Sequence, residues 1–150
     1  MTLSEELAKP AYAGLTDEQA AAAINAATVP VDRPIDPLAV KRYLMVVGKW
    51  PRIAALARGL VTGSDAETLV AVALTEALDN MPSFDFTVPA YKAACQANLA
   101  ACVSAGLIDQ PHRDAIEAMA QPAVPLRSTL GVDNRPLLPI DIERARNGTS

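Results

Sequence analysis

The sequence predicts an all-α fold: a compact bundle of about five to six short helices, with an extended N-terminal arm and a long proline-rich C-terminal arm. Three observations carry this reading. Helix-start signals recur at Thr16, Asp36, Ser64 and Asp109, and the apolar residues that follow each one recur at helical spacing. Aromatic residues are scarce, two Phe, three Tyr and one Trp among 150 residues that are 51% hydrophobic. The core must therefore be built from Leu, Val, Ile and Ala, whose small side chains let helix axes approach. One hundred and fifty residues suffice for one such core.

Residues 2–9 suit a loose helical turn, with Ser4 as its cap and Pro10 as its end. Residues 1–11 are thus expected to be a mobile or partner-docked arm. Thr16 opens the first full helix, about residues 17–26. Gln19 completes a capping box, and Leu15 is placed to staple against the first turn. The run Ala20-Ala-Ala-Ala-Ile24 has high helix propensity and little bulk, which suits a surface pressed against another helix.

Pro30, Pro34 and Pro37 then impose an extended strap. Asp36 caps a second helix over about 37–48, with Pro37 in the tolerated first turn and a buried stripe at Val40, Tyr43, Leu44 and Val47. Gly48 stops it. Trp50-Pro51 starts a third helix, about 51–60, with Ile53, Leu56, Ala57 and Leu60 on one face. The capping box Ser64-Asp-Ala-Glu67 opens a fourth, about 65–79, ended by Asn80-Met-Pro-Ser83. Its apolar run, Leu69-Val-Ala-Val-Ala-Leu74, predicts a place at the centre of the bundle.

Phe84-Asp-Phe-Thr-Val88 alternates like a strand but has no partner nearby, so a loop whose two Phe residues plug the bundle is the better reading. A fifth helix over about 89–105 buries Tyr91, Ala94, Cys95, Leu99, Cys102 and Val103, with Asn98 at the edge of the stripe. Gly106 ends it, and Leu107-Ile108 pack back in Schellman fashion. Asp109 caps the sixth helix, about 110–120, which buries Ile116 and Met119. The bundle so defined spans residues 1–121. From 122 to 150 the chain reads as an extended arm, interrupted by one turn at Ile140-Asp-Ile-Glu-Arg-Ala-Arg146. Leu126, Leu130, Val132, Leu137, Leu138 and Ile140 make it too apolar to be left bare. They either wrap their own bundle or dock on another subunit.

Charge and motifs narrow the function classes. A net charge of −4 gives the whole molecule no general attraction for nucleic acid or an anionic membrane. No apolar run approaches the roughly 18 residues of a membrane span. The N-terminus carries acids where a signal peptide needs a basic region, so a cytoplasmic origin is expected. Cys95 and Cys102 lie seven apart on one helix, roughly 10 Å along its axis. That is too far for a disulfide, and both read as reduced core residues.

His112 is the only histidine, which rules out a multi-histidine metal site, and it reads as a solvated surface residue. Gly59-Leu-Val-Thr-Gly63 has no lysine to reach a phosphate. No enzyme constellation, cofactor or metal is therefore expected. One charge feature stands out: between Asp36 and Asp65 there are no acids, whereas Lys41, Arg42, Lys49, Arg52 and Arg58 are all positive. This is a candidate surface for DNA or for an acidic protein, against the plainer reading of a solvated polar face. A helix-turn-helix over residues 37–60 can be drawn, but its second helix offers few side chains able to read base edges.

At Tyr12-Ala-Gly-Leu-Thr-Asp-Glu-Gln-Ala-Ala-Ala-Ala-Ile-Asn25 the chain resembles a family of small proteins encoded in the virion-assembly gene blocks of tailed bacteriophages. Members begin with a short arm, a Tyr-Ala-Gly-x-Thr/Ser-Asp cap, an Ala-rich helix ending in Asn and a Val/Pro/Arg strap. A helix ending near Gly-x-Trp follows, which Gly48-Lys-Trp50 matches. Leu130-Gly-Val132 and Ile142-Glu-Arg-Ala-Arg146 are similar to the family's closing pattern. The family more often has Thr-Val-Thr before its last helix, where this chain has Asn134-Arg-Pro-Leu-Leu-Pro139.

The resemblance implies a structural virion protein. By analogy with helical adaptors, the expectation is a head-to-tail connector of the neck that binds the portal as a homo-oligomeric ring. Its implied partners are the portal, neighbouring neck or tail proteins and, non-specifically, packaged DNA, with no membrane. The implied contact residues are Lys41, Arg42, Lys49, Arg52 and Arg58, with Leu126, Leu130, Leu137, Leu138 and Ile140 of the arm. On this reading, removing residues 122–150 abolishes assembly and leaves the bundle folded. A DNA-binding regulator using residues 37–60 and an assembly chaperone absent from the particle are the alternatives.

Overall fold

The computed structural model describes residues 1–80, 84–132 and 135–148. In chain order its elements are α1 (Leu3–Leu7), α2 (Asp17–Ala26), β1 (Thr28–Pro30), α3 (Pro37–Val46), α4 (Trp50–Ala57), α5 (Asp65–Asp79), α6 (Pro89–Ser104), α7 (Gln110–Ala120), β2 (Ala123–Pro125) and α8 (Pro139–Arg146). Single 3-10 turns occupy Pro10–Tyr12 and Leu126–Thr129. The fold is all-α, with one two-stranded antiparallel ladder that pairs Val29 with Val124.

The helix starts follow local chemistry. Thr16 Oγ1 accepts the Gln19 N–H at 3.2 Å while Gln19 Oε1 accepts the Thr16 N–H at 3.0 Å. Ser64 and Glu67 do the same for α5, and Asp36 Oδ1 accepts the Leu38 N–H at 3.0 Å to cap α3. After α6, Gly106 turns left-handed at φ +72° and the Leu107 N–H reaches back to the Cys102 carbonyl at 3.0 Å. Leu107 and Ile108 are buried as a result.

The chain folds into two compact units. The first is assembled from both ends, Met1–Pro30 with Ala123–Ser150. Its core packs Ala20, Ala21 and Ile24 of α2 against Leu3, Tyr12, Leu126, Leu130, Leu137 and Ile142. The alanines have the use their size suggests: they let α8 lie close on α2. The second unit is the continuous stretch Val31–Pro122. There α5 packs against α3, α4 and α6, and Leu74, Leu44, Ile53, Leu99 and Ile116 fill the centre. Phe84 and Phe86 are both fully buried in this core, each worth about 1.5–3 kcal/mol of apolar burial. The plug reading of residues 84–88 holds. The Phe84 carbonyl also accepts the Ile35 N–H at 2.8 Å, so the same loop anchors the strap.

Several expectations are corrected. The division into a 1–121 bundle and a 122–150 arm gives way to the two units, because the C-terminal leucines find their cover on α2. The segment after 122 is not an extended arm. It forms β2, a 3-10 turn and α8. Nor is residues 1–11 a loose arm: Thr2, not Ser4, caps α1, and Leu3 and Tyr12 are buried. Helix α3 ends at Val46 rather than 48, and α4 spans Trp50–Ala57 rather than 51–60. Leu60, past that end, is 71% exposed instead of lying on the buried stripe. Tyr91 is exposed in the first turn of α6, and Ala94 is exposed because it lies about 100° around the helix from buried Cys95. Leu69 of the central helix is also 71% exposed. Of the stop expected at 80–83, residues 81–83 lie outside the described residues, as does Asn134 of the divergent tail.

Candidate functional site

The basic stretch is where the sequence placed a contact surface, and the fold answers most of its charge. Lys41 Nζ lies 2.6 Å from Asp79 Oδ1 and 5.6 Å from the Trp50 ring centroid. Lys49 Nζ lies 3.2 Å from Asp109 Oδ2, and Arg52 Nη2 3.0 Å from Glu67 Oε2. These are exposed pairs, each worth about 0–1 kcal/mol, so they matter for the surface potential more than for stability. Arg42 and Arg58 are exposed, and among the described residues neither has a carboxylate partner. Five cations in sequence thus become two uncompensated ones in space. Helix α4 buries Ile53 and Leu56 and presents Arg52, already engaged by Glu67, which leaves little on it to read base edges.

The apolar contact candidates also separate. Leu126, Leu130 and Leu137 are buried in the unit made from the chain ends. Leu138 and Ile140, beside the start of α8, stay 52% and 44% exposed. Only the latter pair is open to a partner.

The polar groups that organise the first unit were not legible as site residues. Asn25, at the end of α2, accepts the Leu137 N–H at 2.8 Å and donates to the Leu137 carbonyl at 2.9 Å. Arg127 Nη1 donates to the Asn25 carbonyl at 3.2 Å. Glu6, only 3% exposed, accepts the Tyr12 hydroxyl at 3.1 Å and pairs with Lys9. Burial, and then the Glu6 carboxylate, push the Tyr12 phenol above its ordinary range. Arg135 grips Asp141 with two bonds of 2.8 and 2.9 Å, and Asp141 also accepts the Leu138 N–H at the head of α8. The Arg135 guanidinium, followed by that backbone bond, holds the Asp141 carboxyl below the usual carboxylate range. An open cleft of about 590 Å³ lies beside this pair, lined by Leu3, Leu130, Val132, Leu137, Arg135 and Arg144. The one available signal was an asparagine ending an alanine-rich helix.

In the second unit, Asp32 of the strap receives Lys92 Nζ at 2.9 and 3.0 Å and Gln121 Nε2 at 2.7 Å. These bonds, Lys92 first, lower its pKa. The clamp ties the strap to α6 and α7. His112 is corrected from a solvated residue to a cap: its Nδ1 accepts the Asp109 N–H at 3.1 Å, and its ring meets Tyr43 edge-on at 6.2 Å. Accepting at Nδ1 places the proton of the neutral ring on Nε2. Cys95 and Cys102 are free and buried, and burial pushes their thiols up to about 12 and about 11.

Among the described residues no three His, Cys, Asp or Glu side chains gather to hold a metal, and no helix is long and apolar enough to cross a membrane. Set against protein-family models, curated proteins and solved structures, the chain matches none of them.

Proposed function

We propose that the chain is a non-enzymatic structural subunit of a tailed-bacteriophage particle, a head-to-tail adaptor of the neck that binds the portal in a ring. The observation that carries this reading is the Tyr12-to-Asn25 motif. Its support is that the motif residues build a particular joint. Tyr12 closes on Glu6, Thr16 caps α2, and Asn25 fastens the returning C-terminal segment at Leu137. Likeness at these positions is therefore likeness in how the two chain ends are brought into one unit. Leu138 and Ile140 are exposed apolar residues of that unit, available to the portal or a neighbouring neck protein. Arg42 and Arg58 are the cations left for packaged DNA or an acidic protein surface.

The test is deletion of the gene from the phage that carries it. A neck adaptor joins finished heads to tails, so negative-stain images of the lysate should then show heads and tails that remain separate. Joined, infectious particles from the deletion would sink the proposal.

A further inference from the structure

Helix α3 is apolar on both of its sides. Val40 and Leu44 enter the core, yet Leu38 and Met45 are also apolar and point outward, with Arg42 between them. The positions 38, 42 and 45 follow i, i+4, i+7 spacing and so form one stripe, about 10 Å long. Val46, beside it, is 85% exposed. Three large apolar side chains exposed on one short helix, around a single arginine, make a patch suited to an apolar partner that carries acids.

Helix α5 has a matching outer stripe of the opposite charge. Asp65, Leu69 and Glu76 share its outward face at i, i+4 and i+11 and are all exposed. Leu60 and Val61, in the turn that leads into α5, are also exposed apolar residues. Neither Asp65 nor Glu76 has a cationic partner among the described residues, just as Arg42 has no anionic one.

We infer that a second copy of this chain covers the outer face of α3, using the outer face of its own α5. Charge decides the pairing. Setting α3 against α3 across a two-fold axis brings Arg42 towards Arg42, and setting α5 against α5 brings carboxylates together. Only α3 against α5 covers Leu38 and Met45 together with Leu69 while placing unlike charges opposite each other. The pairing goes beyond the phage reading and stands apart from it. A chain that self-associates but is missing from particles refutes the role, and one found in particles but monomeric in solution, at every concentration, refutes the pairing.

Sedimentation velocity of the full chain, from low micromolar to several hundred micromolar, tests it. The parent protein should associate with rising concentration. Arg42→Glu and the pair Asp65→Lys/Glu76→Lys should each weaken association by about tenfold or more. Combining all three reversals should restore it to within about threefold of the parent. Met45→Lys, an exposed position outside every ion pair, should weaken association as Arg42→Glu does, and circular dichroism checks that each variant keeps parental helix content. A protein monomeric throughout, single reversals that associate like the parent, or a combination that fails to recover would each overturn the inference.

Discussion

The side chain of Asn25 satisfies both backbone polar groups of Leu137, accepting its N–H at 2.8 Å and donating to its carbonyl at 2.9 Å. One amide thus does for an isolated segment what a neighbouring strand does in a sheet. It does so across 112 residues of sequence. The C-terminal segment can then bury Leu137 without stranding its backbone.

Asn25→Ala should therefore destabilise the unit formed by the chain ends by about 1–3 kcal/mol, since two buried-side backbone groups lose their partner. Asn25→Asp should not rescue it, because a carboxylate cannot donate to the Leu137 carbonyl. Urea denaturation with hydrogen exchange at the Leu137 amide reads both effects. An alanine variant within about 0.5 kcal/mol of the parent would show that the amide is incidental.

The stretch 31–122 should fold when expressed alone, with cooperative thermal unfolding, because its core is internal to it. By contrast, a chain ending at residue 121 should keep that unit and lose protection in α1 and α2, which surrender Leu126, Leu130, Leu137 and Ile142 as cover. This revises the expectation that removing the C-terminal segment leaves the remainder folded. Amide exchange on the two fragments checks it, and full protection of α2 in the shortened chain would contradict it.

How much of this was legible in the sequence follows the range of each interaction. The starts of α2, α5 and α7 could be read because a helix cap is local: Thr16 with Gln19 and Ser64 with Glu67 lie three residues apart, and Asp109 sits next to the first residue of α7. The Phe84–Phe86 plug was readable from an apolar pair with nothing to pair beside it. The β1–β2 ladder was not: it is three residues per strand, ends in Pro30 and Pro125, and joins segments far apart in sequence. The same distance hid the partners of the basic stretch. An acid-free run looks like a basic patch until Asp79, Glu67 and Asp109 fold against it.

Acid should weaken both units. Asp141 and Asp32 have folded pKa values below their ordinary ones, lowered chiefly by Arg135 and Lys92 respectively. A group of this kind contributes stability above its unfolded pKa, about 3.9, and loses it as pH falls through the lower folded value. Asp141→Asn and Asp32→Asn should therefore lower Tm near neutrality and flatten its decline below about pH 4. Tm profiles that stay parallel to the parent down to acid would refute the assignment.

The thiols of Cys95 and Cys102 should be inert in the native protein. Burial raises them to about 12 and about 11, so almost no thiolate exists at neutral pH, and neither sulfur is accessible. Labelling with a thiol reagent at mildly alkaline pH should wait on opening of the second unit and accelerate with urea. Modification at the rate of a free thiol in native buffer would contradict the burial.

The most direct test of the virion role is a count. If the proposed role holds, quantitative mass spectrometry of purified particles of the encoding phage measures this chain's copies relative to the portal. A neck adaptor should be present in a fixed ratio to the portal, one that survives repeated density-gradient purification. Infectious particles containing no peptide of this chain would contradict that role and leave a factor that acts in assembly and departs.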